Sequence, residues 1–301
     1  MSTPGLIHFV HALSPVHMGT GASTGGIDLP LAREASTGWP VVPGSGLKGV
    51  LRGALGLPPA TVQWLFGGPW NDTQDRDQGA LMFSDMRLLC LPVRSYSGGW
   101  AWVTSPAALA AYRGEARWCL PGAAALPNVP AEPGDHECVC ASPTTPLKAG
   151  DAVYVHDLRF VAPAVAPQAA AMSQWADHLA PRIFGSDKAA CDAFKARLLL
   201  VSEAALAHLG NVAMDVRTRV RLEERKAVAK SGPWVEESLP VETVLWGSVV
   251  ADAIQKADNK PRSAEQALNE FAQAVKGERR LQLGGKATVG RGVVRLVNAA
   301  A

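Results

Sequence analysis

No run of 18 apolar residues occurs in this 301-residue sequence, so no membrane-spanning helix is expected. A disulfide framework is excluded as well. Five cysteines, an odd number in a long chain, fit reduced thiols in the cytoplasm. An excess of one charge is missing too: 29 Lys and Arg stand against 27 Asp and Glu, a formal net charge of +2. Any polyanion must therefore be held by local clusters, not by bulk charge. Met1-Ser2-Thr3-Pro4-Gly5 lacks a basic segment followed by an apolar one, and no signal peptide is expected. No Walker A pattern occurs, which disfavours a P-loop NTPase.

What is present supports a folded chain. Hydrophobic residues make up 48 % and charged residues 19 %, enough to build a sizeable core. The 29 glycines and 22 prolines punctuate many short segments, which predicts a loop-rich α+β fold instead of a helical bundle. Residues 6–13 read as a strand, and 14–43 as a long glycine-rich loop carrying His17, Asp28 and Glu34. Leu47, Val50, Leu51, Ala54 and Leu55 form one apolar helical stripe, with Ser45 as its expected N-cap. Strands are expected over 80–93, 100–104, 153–161, 198–201, 241–250, 281–283 and 293–297, with 121–150 irregular. Helices are expected over 187–196 and 203–209, the second capped by Ser202. Ser263-Ala264-Glu265-Gln266 is a capping-box signature.

Several clusters carry chemistry. Lys48 and Arg52 lie four apart near a helix start, where free N–H groups and two cations suit a phosphate. Gly44-Ser45-Gly46-Leu47-Lys48-Gly49 formally fits a dinucleotide fingerprint. Pro40 and Pro43 argue against the preceding central strand that this motif requires, and no repeated βαβ pattern surrounds it. The loop 284–292 has four glycines with Lys286 and Arg291, a composition that lets backbone approach a phosphate. Arg217, Arg219 and Arg221 recur with period two. A strand would set them on one face and Val216, Val220 and Leu222 on the other, within a hairpin over 211–240. His136-Glu137-Cys138-Val139-Cys140 is tighter than usual zinc spacing, and no fourth ligand is evident.

Three blocks, from Leu13-Ser14-Pro15-Val16-His17-Met18-Gly19, through Ile27-Asp28-Leu29-Pro30, to Trp39-Pro40-Val41-Val42-Pro43-Gly44-Ser45-Gly46, resemble the RAMP superfamily of CRISPR proteins. More narrowly, they resemble the backbone-subunit family of type III-B (Cmr) effector complexes. Phe83-Ser84-Asp85-Met86, Trp234-Val235-Glu236-Glu237-Ser238-Leu239-Pro240 and the glycine loop 284–292 extend the resemblance nearly end to end.

The resemblance implies a single domain over 1–301 with a modified ferredoxin-like, RRM-like fold and a thumb hairpin at 211–240. It implies a cytoplasmic subunit that stacks with further copies of itself and with other Cmr subunits along a guide RNA. Ser45, Lys48, Arg52, Lys286 and Arg291 would hold the guide backbone, together with Arg217, Arg219 and Arg221 of the thumb. Asp28, with a divalent ion such as magnesium or manganese, would support cleavage of target RNA at each displaced base. His17 matches a nearby family histidine, and Glu236 and Glu237 fall in the acidic block beside the thumb. The alternative is a scaffold that binds guide RNA without cutting. On either reading, guide–target pairing carries the sequence information and the protein reads backbone and shape.

Overall fold

β1 (Gly5–Ala12) is the strand expected of residues 6–13. The computed structural model describes residues 5–21, 26–68, 78–119, 126–163, 168–229, 232–252, 254–255 and 261–299. Along the chain follow β2 (Val41–Val42), α1 (Gly44–Ala54), α2 (Pro59–Phe66), β3 (Leu81–Phe83), β4 (Met86–Arg94), β5 (Trp100–Thr104) and α3 (Pro106–Cys119). Next come β6 (Val139–Cys140), β7 (Lys148–Ala149), β8 (Ala152–Val155), β9 (Leu158–Val161), α4 (Ala169–Phe184), α5 (Lys188–Arg197), β10 (Leu198–Leu200) and α6 (Glu203–Val212). The rest comprises β11 (Asp215–Arg219), β12 (Trp234–Ser238), β13 (Val244–Ala251), β14 (Ile254–Gln255), β15 (Pro261–Arg262), α7 (Ala264–Ala274), β16 (Glu278–Gln282) and β17 (Val293–Ala299).

The α+β class is the one formed. The main sheet runs β16-β17-β1-β13-β4-β5-β10-β6, with β2 beside β4 and β3 beside β13. Its pairings are antiparallel apart from β10 on β5, which is parallel. β1 lies inside this sheet and is covered on both faces, which explains why its apolar residues do not alternate with polar ones. Ile7 and Phe9 face a core built with Tyr112 of α3 and Trp175 of α4. Val10 and Ala12 face the opposite core, with Leu47 and Leu51 of α1, Leu206 of α6 and Phe271 of α7. Each buried Val, Leu, Ile or Phe among these stabilises the fold by about 1.5–3 kcal/mol. No described helix is long and apolar enough to cross a membrane.

Two-sided burial also traps His8, which packs edge-on against Phe271 with ring centroids 5.5 Å apart. Burial lowers its pKa from 6.5 to about 4. As pH falls, the unfolded chain takes up this proton near 6.5 and the folded chain only near 4. The unfolded state binds more protons across that window, so stability is lost as pH falls through it. We expect His8 alone to contribute about 3 kcal/mol of this loss between pH 7 and 4, read from urea midpoints, and His8→Leu to flatten the profile. An unchanged slope in H8L would assign the acid sensitivity elsewhere.

Some local expectations need correction. α1 starts at Gly44 with Pro43 at its N-cap position, so Ser45 lies inside the first turn and caps nothing. The Gly44 N–H is taken instead by Asp85 Oδ1 at 2.8 Å. Residues 153–161 are not one strand but the hairpin β8–β9, turned at His156 and Asp157. β11 ends at Arg219, so Arg221 lies beyond the strand. Ser202 and the Ser263–Gln266 capping box form as expected.

Candidate functional site

The described parts of the long loop are ordered against the hairpin: residues 16–17 and 29–31 lie along one edge of β12 and its extension to Leu239, and the other edge of β12 pairs with β11. Val16 exchanges both backbone bonds with Leu239, at 3.0 and 2.9 Å. The Leu29 N–H donates to Val235 O at 3.1 Å, and the Glu237 N–H donates to Leu29 O at 3.0 Å. Val16, Leu31 and Trp39 are buried and anchor the loop to the core.

This path brings both candidate catalytic residues to the same strand. Asp28 is exposed, and its Oδ2 accepts the Val235 N–H at 2.7 Å. His17 is buried, and its Nδ1 meets Glu237 O at 2.6 Å. A carbonyl can only accept, so Nδ1 carries the proton. Nε2 then points toward Gly19, where a Cβ would stand 2.9 Å away. The two anchoring groups are two residues apart on β12, about 7 Å along an extended strand.

Two buried glutamates flank that strand on opposite faces. Glu237 Oε2 accepts the Leu31 N–H at 2.9 Å, and Oε1 lies 2.5 Å from Arg33 Nη2. Arg33 also donates to Gly38 O and to Gly210 O of α6, at 2.9 and 3.0 Å. It therefore clamps the loop between β12 and α6. Glu236 Oε1 accepts from Lys286 Nζ at 2.9 Å and from Trp234 Nε1 at 2.7 Å, while its Oε2 lies 3.4 Å from Arg219 Nε. Burial works to raise the Glu236 pKa, but Lys286, Trp234 and Arg219 together hold it below the ordinary carboxylate value. Glu34 is likewise committed: Arg87 and Thr37 outweigh its burial and keep it ionised. These three acids are structural counterions. Of these four acids, Asp28 is the one presented to solvent.

The glycine loop packs against the same segment. The Gly285 N–H donates to His17 O at 3.0 Å. Gly284 sits at φ +81°, and a Cβ there would stand 2.3 Å from the same oxygen, so the contact demands glycine. The Met18 side chain lies between Gly46 and Gly284, which joins the α1 N-terminus to the glycine loop. Ser45, His17 and Lys286 thus converge here.

The other cations divide. Lys48 Nζ donates to Leu81 O at 2.9 Å, and Arg52 Nη1 donates to Gly68 O at 3.0 Å, so both are partly spent on carbonyls. Burial, and then Arg52, lower the Lys48 pKa. Asp85 already places a carboxylate at the helix start, which weakens the phosphate site expected there. Arg291 is a correction. It is 2 % exposed, bonds Ser238 Oγ, and lies 3.9 Å from Asp215 Oδ2. It rivets the hairpin base from beneath and does not face a ligand. Arg217 is exposed and paired with Asp215 at 2.8 Å, Arg219 leans on Glu236, and Arg221 is exposed past the strand end. Val216, Val220 and Leu222 are about half exposed, so the hairpin's apolar residues stay open to solvent.

Among the described residues, no group of three or more His, Cys, Asp or Glu side chains could hold a metal ion. His136, Cys138 and Cys140 therefore assemble no zinc site there. Asp28 on its own could offer a cation one hard carboxylate. That suits magnesium or manganese, which commonly take one or two carboxylates and fill the remaining positions with water and substrate phosphate. Sequence reasoning gave no sign of the Arg33–Glu237 and Lys286–Glu236 pairs, because their members lie far apart in the chain.

The sequence matches the RAMP superfamily over residues 9–295. The CRISPR system Cmr endoribonuclease Cmr4 of Pyrococcus furiosus is 26 % identical over 293 residues, covering 95 % of this chain and 93 % of that protein. The crystal structure of oligomeric Cmr4 from Pyrococcus furiosus superposes with a TM-score of 0.74 at 20 % identity, with both chains fully covered. A chain of the type III-B Cmr-beta complex bound to cognate target RNA gives 0.71 at 19 % identity, with 99 % of each chain covered.

Proposed function

The chain belongs to the RAMP superfamily, and from that premise we propose that it is the repeating backbone subunit of a type III-B CRISPR effector complex. It binds guide RNA, stacks with copies of itself and with other Cmr subunits, and cuts complementary target RNA at regular intervals in antiviral defence. Its 26 % identical relative is named an endoribonuclease, and similar chains are oligomeric or bound to target RNA. The observation that carries the cutting reading is the placement of Asp28. An exposed carboxylate is fixed to β12, the return strand of an arginine-bearing hairpin that also contacts Lys286 of the glycine loop.

The chemistry follows from that placement. The hairpin prises a target nucleotide out of its stack, and the splayed sugar brings its 2′-oxygen in line with the adjacent phosphorus. Asp28 orients the 2′-hydroxyl and accepts its proton as the P–O5′ bond breaks. The products are a 2′,3′-cyclic phosphate and a 5′-hydroxyl, with a water proton going to the leaving oxygen. His17, held by Glu237 O, anchors the loop to β12 two residues from the seat of Asp28. A divalent ion bound by Asp28 and the RNA would neutralise charge developing on the phosphate. Lys286, Ser45 and the arginines of the hairpin hold the ribose-phosphate backbones, and base pairing supplies specificity.

The test is reconstitution with guide RNA and partner subunits. Complementary RNA should be cut at a fixed spacing, whereas the chain alone should leave precursor RNA intact. A guide-loaded complex that binds target and leaves it whole would reduce the protein to a scaffold. Replacing Arg217, Arg219 and Arg221 by Ala should weaken RNA binding alike across sequences. It should lower the slope of log affinity against log salt by up to roughly 2, about 0.7 per lost phosphate contact. A sequence-selective loss would contradict backbone reading.

A further inference from the structure

Away from the hairpin and glycine loop, four side chains form a site that the reading above leaves unused. The Tyr96 N–H donates to Tyr154 O at 3.1 Å and the His156 N–H donates to Arg94 O at 2.8 Å, with Ser95 opposite Val155 in antiparallel register. These bonds zip the end of β4 to the β8–β9 turn. Ser95 and Val155 are buried, so alternation turns Arg94, Tyr96, Tyr154 and His156 outward together. The result is a two-by-two array, tyrosine opposite tyrosine and arginine opposite histidine. The tyrosine rings meet edge to face at 6.2 Å, and Tyr96 is 85 % exposed. With Ala149 they line a cavity of about 510 Å³, a size that suits a small ligand. The neighbouring Asp157 carboxylate is engaged by His156 at 2.9 Å and by His208 at 3.3 Å.

We propose that this array is a second RNA site, one that takes a single unpaired nucleotide. The base stacks on Tyr96 and Tyr154, and its phosphate is held by Arg94 and His156. The inference rests on the RNA-binding reading above but places a contact outside the guide groove. Arg94 and Tyr96, like Tyr154 and His156, are two residues apart, about 7 Å, which sets a cation beside a π-face at the reach of a base from its own phosphate. Stacking is indifferent to base identity, so such a site would grip single strands without reading them. An apolar peptide anchor would need an aliphatic wall, and here Ala149 is the aliphatic member of the lining.

The experiment is photocrosslinking of the purified full chain to a decamer of 5-iodouridine, with attachment sites mapped by mass spectrometry. Adducts are expected on Tyr96 or Tyr154. Their yield should fall about tenfold or more in Arg94→Ala, in line with loss of a phosphate contact that seats the base. Adducts confined to the hairpin and glycine loop, or undiminished at Tyr96 in R94A, would overturn this site alone. Absence of adducts anywhere would overturn the RNA-binding reading with it. Protection of Tyr96 by a second copy of the chain in the absence of RNA would make the array a protein contact and end the proposal.

Discussion

Asp28→Asn should slow target cleavage by about 10²–10⁴-fold, the range expected when a positioned acid–base group is lost, while guide binding and assembly stay within twofold of the parent. The substitution is chosen for what it keeps. An amide oxygen still accepts the Val235 N–H that Asp28 Oδ2 accepts now, so the loop remains seated on β12. What disappears is the negative charge, and with it the proton acceptor and the hard ligand for a divalent ion. Asp28→Ala removes the seat as well, so the Asn variant separates chemistry from positioning. The readout is a single-turnover cleavage rate at saturating target, with RNA binding measured in parallel. If D28N cuts at the parental rate, the reactive group lies elsewhere.

Glu237→Ala is expected to cost about 3 kcal/mol of stability, measured by urea unfolding. The substitution strands the Leu31 N–H and leaves the Arg33 guanidinium without its carboxylate, both in a largely dehydrated setting. Because Glu237 ties down the segment that carries Asp28, cleavage should fall further than RNA affinity does. Glu237→Gln keeps one acceptor for Leu31 and loses the charge opposite Arg33, so its cost should be smaller. Pairing each variant with Arg33→Ala closes a double-mutant cycle, and a coupling energy near zero would show the clamp to be incidental. Unfolding of E237A at the parental midpoint would dispose of the clamp outright.

The sequence and the structure agree where the signal is local. The Ser263–Gln266 capping box, the Ser202 cap and the β1 strand depend on neighbours a few residues away, and all three form. Within 211–240, where alternation suggests a hairpin, Asp215–Arg219 pairs antiparallel with Trp234–Ser238. What was not legible depends on partners distant in the chain. Asp85 displaces Ser45 as the group that satisfies the start of α1, a role no spacing rule assigns across 41 residues. Arg291 reads as a ligand in a glycine loop because its charge is visible in the sequence and its burial is not. α3 and α4 were unread although they are no less periodic than α5 and α6, and α3 opens on a Ser105-Pro106 start that a sequence reading can use; α4 has no capping side chain at Gln168. The His156–Asp157 turn inside 153–161 was missed for a related reason: neither residue is a glycine or proline, yet His156 takes φ +52°.

The Asp28 carboxylate and the His17 imidazole are both seated on peptide groups of β12, one on a main-chain N–H and the other on a main-chain carbonyl. Such a seat is genetically silent. The amide that holds Asp28 belongs to residue 235 whatever its side chain, and among the twenty amino acids proline alone would delete that donor. A substitution scan of position 235 would therefore find catalysis indifferent to most replacements and intolerant of one, the mark of a contact that selection can preserve without fixing the residue that makes it.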